Sequence, residues 1–261
     1  MKQVRAKKHL GQHFLKDLDI AHKIVDAMTG HKNYEKLVEI GPGMGVLTDI
    51  ILKEDKYVSY FLDVDRDSVA YLKEKYPAHE AQFLLSDFLR QDMGALFQQE
   101  PFAVIGNFPY NISSQIYFRV LELRDQVPEV VGMVQKEVGE RIAAGPGSKT
   151  YGILSVLLQA FYEVEYLFSV PPHVFNPPPK VTSGVVRLKR NEVKALDCDE
   201  KMFFRVVKQG FNNRRKTLRN ALKPLGLTDE QKELSILDKR AEQLSVADFV
   251  ELTKAISSGE H

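Results

Sequence analysis

Between residues 36 and 138, short apolar runs rich in β-branched and aromatic residues alternate with stretches of helical period. The runs at 36–40, 57–63, 82–85, 102–106 and 130–135 have the length and composition of strands. Between the last two, Ile116, Val120 and Leu123 recur at i, i+4 and i+7, on a helix opening at Ser113 or Ser114. Strands and helices in this alternation predict a parallel α/β sheet with helices on both faces.

After Gly145-Pro146-Gly147, which reads as a loop tip, 153–161 has a helical pattern, and 163–170 and 184–188 read as further strands. Between these strands, residues 171–179 contain five prolines, which forbids helix and central strand and stiffens an extended loop. From about Arg190 the β pattern stops, and helical segments follow at 200–210, 214–223 and 246–256. The expected division is therefore an α/β domain over 1–189 and a small all-α domain over 190–261.

Composition narrows the class. With 261 residues, 44% hydrophobic and 27% charged, the chain can build a packed core and is too apolar for a disordered one. Its one cysteine, Cys198, excludes an internal disulfide and a Cys-rich zinc site. His9 and His13 stand at i, i+4, but no third ligand of matching context follows, so no metal is expected. No apolar stretch has membrane-spanning length, and the basic start has no apolar region after it, so a soluble, cytoplasmic protein is expected.

A net charge of +1 conceals a polarised distribution. Residues 1–16 hold Lys2, Arg5, Lys7, Lys8 and Lys16 with no acid, and residues 201–223 hold eight cations with no acid. The rest of the chain has 23 cations against 35 acids, so two basic segments sit on an acidic body. Such polarity draws and orients a phosphate backbone. On the helix expected at 214–223, Arg215, Lys216 and Arg219 span one sector while Leu218, Ala221 and Leu222 span its neighbour, with Asn213 as N-cap.

The strand ends carry the candidate chemistry. Glu39-Ile40-Gly41-Pro42-Gly43-Met44-Gly45 leaves the first strand as a glycine-spaced turn and enters a helix, an arrangement that admits close backbone approach to a ligand. Its spacing differs from G-x-G-x-x-G. Asp63 closes the next strand, where a carboxylate can accept from both ribose hydroxyls, and Asp87 follows the third, where it could accept from an adenine amine. Three acceptors at one sheet edge fit a nucleoside-bearing cofactor.

The fourth strand ends in Asn107-Phe108-Pro109-Tyr110. An exocyclic amine on a base is a poor nucleophile because its lone pair is delocalised into the ring. The Asn107 side-chain carbonyl and a main-chain carbonyl near Pro109 can accept from that amine and hold it pyramidal. Pro109 fixes the backbone, and Tyr110 offers a face on which the base can stack.

At these residues the chain resembles the ribosomal RNA adenine dimethyltransferases, S-adenosylmethionine enzymes of the Rossmann-like class. The resemblance takes in Gly11-Gln12-His13-Phe14-Leu15, the loop from Glu39 to Gly45, the tetrad, Val174-Phe175-Asn176-Pro177-Pro178-Pro179-Lys180-Val181, and Phe211-Asn212-Asn213-Arg214-Arg215-Lys216-Thr217-Leu218. It implies a catalytic domain over 1–189 and an RNA-binding domain over 190–261. It further implies S-adenosylmethionine as cofactor, the small ribosomal subunit and its RNA as partner, and a monomer. The implied reaction is dimethylation of two adjacent adenosines near the 3′ end of small-subunit RNA, with a part in subunit maturation.

By the same resemblance His13, Leu15, Gly41, Gly43, Asp63, Asp87 and Asn107 contact the cofactor. Asn107, Pro109 and Tyr110 act on the target base, and Phe175 supplies a second aromatic face opposite Tyr110. From the charge of the two basic segments, Lys7, Lys8, Arg214, Arg215, Lys216 and Arg219 are expected to meet RNA. His13 stands where an asparagine is common and Asp63 where a glutamate is common, which puts binding geometry in question. The alternatives are a large-subunit methyltransferase of the antibiotic-resistance type and a non-catalytic assembly factor. A DNA adenine methyltransferase fits less well because those enzymes usually begin the tetrad with an acid, and a dehydrogenase would show itself by binding nicotinamide.

Overall fold

A computed structural model describes residues 4 and 6–257, with Lys8 described by its backbone alone. Lys2, Arg5 and the Lys8 side chain lie outside the described residues. The chain forms two compact units, 1–139 with 164–190, and 140–163 with 191–261.

The strands in chain order are β1 (Phe14–Leu15), β2 (Lys36–Ile40), β3 (Val58–Asp63), β4 (Phe83–Leu85), β5 (Phe102–Asn107), β6 (Glu129–Gln135), β7 (Tyr162–Val170), β8 (Phe175–Asn176) and β9 (Ser183–Arg190). Seven form one sheet in the order β4-β3-β2-β5-β6-β9-β7, and β1 pairs with β8 in a separate antiparallel ribbon. From β4 to β6 all pairs are parallel, whereas β9 runs antiparallel to β6. Helices α2 (Val46–Glu54), α3 (Arg66–Lys75), α4 (Met93–Phe97) and α5 (Ser113–Glu122) make the parallel crossovers, with α1 (Leu18–Asp26) before β2 and α6 (Lys136–Ala143) after β6. This is a Rossmann-like α/β sheet. Its winding reverses between β2 and β5, and a crevice opens at the carboxyl ends of strands at such a point.

One face of the sheet packs Leu37, Phe61, Ile105 and Met133 against Ala21, Ile24, Ile50 and Leu72 of the covering helices. At its amino-terminal edge Glu129 is fully buried, and its carboxylate accepts from the Thr29, Gly30 and His31 backbone N–H groups and the Thr29 and Tyr34 hydroxyls. That ties the chain entering β2 to β6. A buried carboxylate is tolerated when its oxygens are satisfied in this way.

At the opposite edge a pair of glycines sets the course of the chain. Gly106 of β5 lies in register with Gly132 of β6, and the buried Phe108 ring lies over both. A Cβ on Gly132 would come within 2.4 Å of that ring. With Phe108 turned inward and its N–H donating to the Met133 carbonyl (3.0 Å), Asn107 and Tyr110 stay half-buried at the carboxyl edge.

The second unit is helical: α7 (Ile153–Gln159), α8 (Glu200–Asn212), α9 (Leu218–Ala221), α10 (Asp229–Lys232) and α11 (Val246–Ser257). Phe203, Phe211, Leu218 and Phe249 are buried among them. Residues 140–163, placed before the boundary at 190 by the sequence pattern, cluster with this unit.

The helix expected at 214–223 is a correction. Asn213 caps the carboxyl end of α8 instead of opening a new helix, Arg214 to Lys216 form a turn, and only Leu218–Ala221 is α-helical. Tertiary hydrogen bonds override the pattern here. The Arg214 guanidinium donates to the Lys149 and Tyr151 carbonyls (both 2.7 Å), and the Leu218 N–H donates to the Lys239 carbonyl (2.8 Å). The inward placement of Leu218, Ala221 and Leu222 agrees with the expectation. Among the described residues no helix is long and apolar enough to cross a membrane.

Gly132→Ala is expected to lower the unfolding free energy by about 1–3 kcal/mol, the usual cost of overpacking, measured by urea denaturation. Gly145→Ala is the control: a Cβ there meets open space, and stability should be nearly unchanged.

Candidate active site

The β2–α2 loop builds one wall of the crevice. Gly43 adopts φ +55, and a Cβ there would lie 2.8 Å from the Phe14 ring, so both backbone conformation and space call for glycine. The Gly43 N–H donates to Asp63 (3.2 Å), and the other oxygen of that carboxylate accepts from the Asp65 N–H (2.9 Å). Burial pushes the Asp63 pKa up, and these backbone donors partly offset the shift. Each oxygen retains a lone pair for a further donor. Behind the loop, Glu39 is buried and accepts from the Thr48 hydroxyl (2.7 Å); burial pushes its pKa up to about 8.

Gly41, Gly43, Asp63, Val64, Asn107 and Tyr110 line a narrow cleft of about 50 Å³, closed over by the segment from Leu10 to Phe14. The structure thus brings His13, Gly41, Gly43, Asp63, Asn107, Pro109 and Tyr110 to one place. Leu15 is buried on the core side, beside Glu39, Gly41 and Asn107. Asp87 is not in the lining of this cleft. It stands two residues beyond β4, accepts from the Leu89 N–H (3.0 Å) and has the Arg90 Nε 3.8 Å from its other oxygen.

The tetrad is held by its neighbours. The Asn107 Nδ2 donates to the His13 carbonyl (2.8 Å), and among the described residues no donor reaches its Oδ1. Pro109 O accepts from the Ile112 N–H (3.1 Å) and Tyr110 O from the Ser113 hydroxyl (3.3 Å), whereas Phe108 O meets no donor among the described residues. Two carbonyl oxygens, one of a side chain and one of the backbone, are therefore available side by side in sequence. Such a pair is of the kind expected of the tetrad.

Tyr110 is fixed at its far end. Its hydroxyl lies 2.5 Å from the Ser183 hydroxyl, which opens β9 and is fully buried. Burial raises the Tyr110 pKa, with the Ser183 bond opposing it. The His13 ring packs near the Tyr110 ring with centroids 5.5 Å apart, and its Nδ1 is 2.8 Å from the Pro177 carbonyl. Ser183 escaped the sequence reading; a lone hydroxyl opening an apolar strand was its only signal.

Beyond Tyr110 a second cavity of about 570 Å³ shares Gly11, Gln12, His13 and Tyr110 with the cleft, and is completed by Gln135 and the turn from Pro177 to Val181. Phe175 does not face it. At 1% exposure it is packed in the core, opposite Leu15 in the β1–β8 ribbon, so the expected aromatic partner of Tyr110 is not presented there. Strand pairing decides this: with Phe175 inward, Asn176 turns outward.

The basic residues divide. Lys7 pairs with Asp65 (2.5 Å) and Asp67 (2.7 Å), acids far away in sequence, and Gln12 donates to Asp65 (3.0 Å). Arg214 holds the carbonyls described above, and Arg219 pairs with Asp238 (2.8 Å) and donates to the Lys232 carbonyl. Arg215 and Lys216 are exposed, with no acid partner among the described residues.

The family model described as ribosomal RNA adenine dimethylase matches residues 3–258. A "Ribosomal RNA small subunit methyltransferase A" from Cytophaga hutchinsonii is 59% identical over 98% of this chain and 99% of its own length, and one from Bacteroides thetaiotaomicron is 56% identical over 98% and 96%. Among solved structures, a dimethyladenosine transferase from Plasmodium falciparum has a TM-score of 0.76 at 25% identity, covering 92% of this chain and 96% of that one. The 23S rRNA methyltransferase ErmE has a TM-score of 0.68 at 23% identity, covering 92% and 99%, and supports the fold alone.

Two outcomes follow for the site's framework. Ser183→Ala and Tyr110→Phe should each lower stability by about 1 kcal/mol, and the double variant by less than their sum, because each single change leaves the other hydroxyl without its partner. Glu39 holds its proton in the folded state up to about pH 8, whereas the unfolded group loses it near its ordinary 4.5. Its contribution is therefore complete below the lower value and declines as pH rises to the upper, with a slope limit of about 1.4 kcal/mol per pH unit. Glu39→Gln should remove that decline in urea titrations from pH 5 to 9.

Proposed function

Because the chain belongs to the ribosomal RNA adenine dimethylase family, we propose that it dimethylates the 6-amino group of adenosines in small-subunit ribosomal RNA, using S-adenosylmethionine. The observation that carries this reading is the Asn107 amide, held at its nitrogen by the His13 carbonyl with its oxygen available to an amine. The names of the relatives favour the small subunit over the large one. The resemblance in sequence extends the proposal to two adjacent adenosines near the 3′ end and to a part in subunit maturation.

The donor chemistry of the cleft fits the cofactor. Asp63 is buried at a sheet-reversal crevice with a lone pair on each oxygen for ribose hydroxyls, and Gly41 and Gly43 allow close backbone approach. When bound, S-adenosylmethionine supplies a methyl group activated by its sulfonium. His13 borders the cleft and Leu15 lies beside it, next to Gly41 and Asn107. Asp87 would meet the adenine end, at the edge beyond Asp63.

The target adenine stacks on Tyr110, whose ring Ser183 holds in place. Asn107 Oδ1 and Phe108 O accept the two amine hydrogens and turn the lone pair out of the ring plane. Pro109 fixes the backbone that follows them. The alkylated amine is acidic enough to give its proton to water, so the tetrad needs an amide and no carboxylate. Stacking and hydrogen bonds compensate for taking the base out of its stack.

The helical unit is read as the RNA-binding part, with Arg215 and Lys216 as its phosphate contacts. Lys7, Arg214 and Arg219 then act by holding the structure, since each is engaged by a carboxylate or carbonyl. A non-catalytic assembly factor would need neither the oriented amide nor the fixed ring.

Labelled methyl transfer to immature small subunits tests the proposal. Wild type should transfer in a single turnover, and Asn107→Ala should be slower by at least about a hundredfold, as when a preorganised hydrogen-bonding group is removed. Absence of transfer by wild type would refute the reading.

A further inference from the structure

Resting on the proposed adenine methylation, we infer that Gln135 is a specificity-determining residue whose amide donates to one of the ring nitrogens flanking the target amine, N1 or N7. Gln135 closes β6. Asn107 is in register with Met133 across β5 and β6, and alternate residues of a strand share a face. Ile105, Val131 and Met133 all pack in one core cluster, so Asn107 and Gln135 continue that same face toward the carboxyl edge. Gln135 is half-buried there and lines the 570 Å³ cavity together with Tyr110.

The other polar side chains in this lining are engaged or of different character. Gln12 donates to Asp65 and accepts from the Lys7 N–H, His13 is bound to Pro177 O, and Tyr110 is bound to Ser183. Lys180 is an exposed cation at the rim. The Gln135 side chain has no hydrogen bond to any described residue, which leaves it as the uncommitted neutral donor in the cavity lining.

Its position is tied to the stacking platform. Gln135 lies directly opposite Ser183 in the β6–β9 register, and Ser183 holds the Tyr110 hydroxyl. A base stacked on Tyr110 with its amine at Asn107 therefore presents an edge toward the strand end that carries the amide. Both nitrogens beside an adenine amine are acceptors, and an amide N–H₂ complements them. A site built to meet such an atom discriminates against bases that lack it, because its own donor is then left unpaired.

The test is a cycle between protein and RNA. Small subunits are reconstituted with adenosine, 1-deazaadenosine or 7-deazaadenosine at the target position, and single-turnover transfer is measured for wild type, Gln135→Met and Gln135→Glu. Wild type should lose about tenfold on one analogue, the scale of one buried hydrogen bond. Gln135→Met should lose the same factor on adenosine and nothing further on that analogue. Gln135→Glu should fare no better than Gln135→Met, since a carboxylate opposes the ring nitrogen.

Equal loss by Gln135→Met on all three substrates, or no loss on adenosine, would overturn the inference. Should Gln135→Met fail to fold, wild type alone decides: undiminished transfer to both analogues overturns it as well. Failure of wild type on unmodified subunits would instead count against the methylation reading itself.

Discussion

The Phe108 ring lying across Gly106 and Gly132 is the contact from which the geometry of the site follows. Two glycines in register on adjacent parallel strands leave a flat place on the sheet, and one aromatic ring fills it. Because that ring turns inward, the residues on either side remain at the carboxyl edge. Asn107 continues the β5 face that packs Ile105, and Tyr110 reaches toward β9. Packing of an apolar side chain thereby determines where the polar chemistry is presented, and the close fit leaves little freedom to present it elsewhere.

Around this point each polar group has an assigned partner or an assigned vacancy of partners. The amide of Asn107 is oriented by one carbonyl, the phenol of Tyr110 by one hydroxyl, and the imidazole of His13 by the Pro177 carbonyl. Among the described residues Asn107 Oδ1, Phe108 O and the Gln135 amide meet no hydrogen-bond partner. Preorganised groups of this kind cost little reorganisation when a substrate arrives, which is the physical advantage of holding them by a rigid sheet edge.

The charge distribution is reorganised by folding in a way that chain order conceals. Lys7 belongs to an acid-free stretch in sequence but meets Asp65 and Asp67 in space, and Arg219 meets Asp238. These pairs tie the amino-terminal segment to the start of α3 and α9 to the chain after α10. Arg215 and Lys216, lifted onto a turn between helices, keep their charge toward solvent.

Sequence alone determined the alternation of five strands with helices from residue 36 to 138, their parallel sheet, the glycine loop with Asp63 and the tetrad, because each depends on local period, spacing or a short motif. The family resemblance was equally legible, since it lies in contiguous residues. Tertiary structure alone decided that Phe175 faces the core, since a two-residue ribbon with Leu15 fixes its side. It decided that Arg214 to Lys216 leave the helix, since distant carbonyls outcompete the helical ladder. It also brought Ser183 and Gln135 to the site. Their roles arise from β6–β9 register, and register between segments nearly fifty residues apart is a property of the assembled sheet that no local pattern encodes.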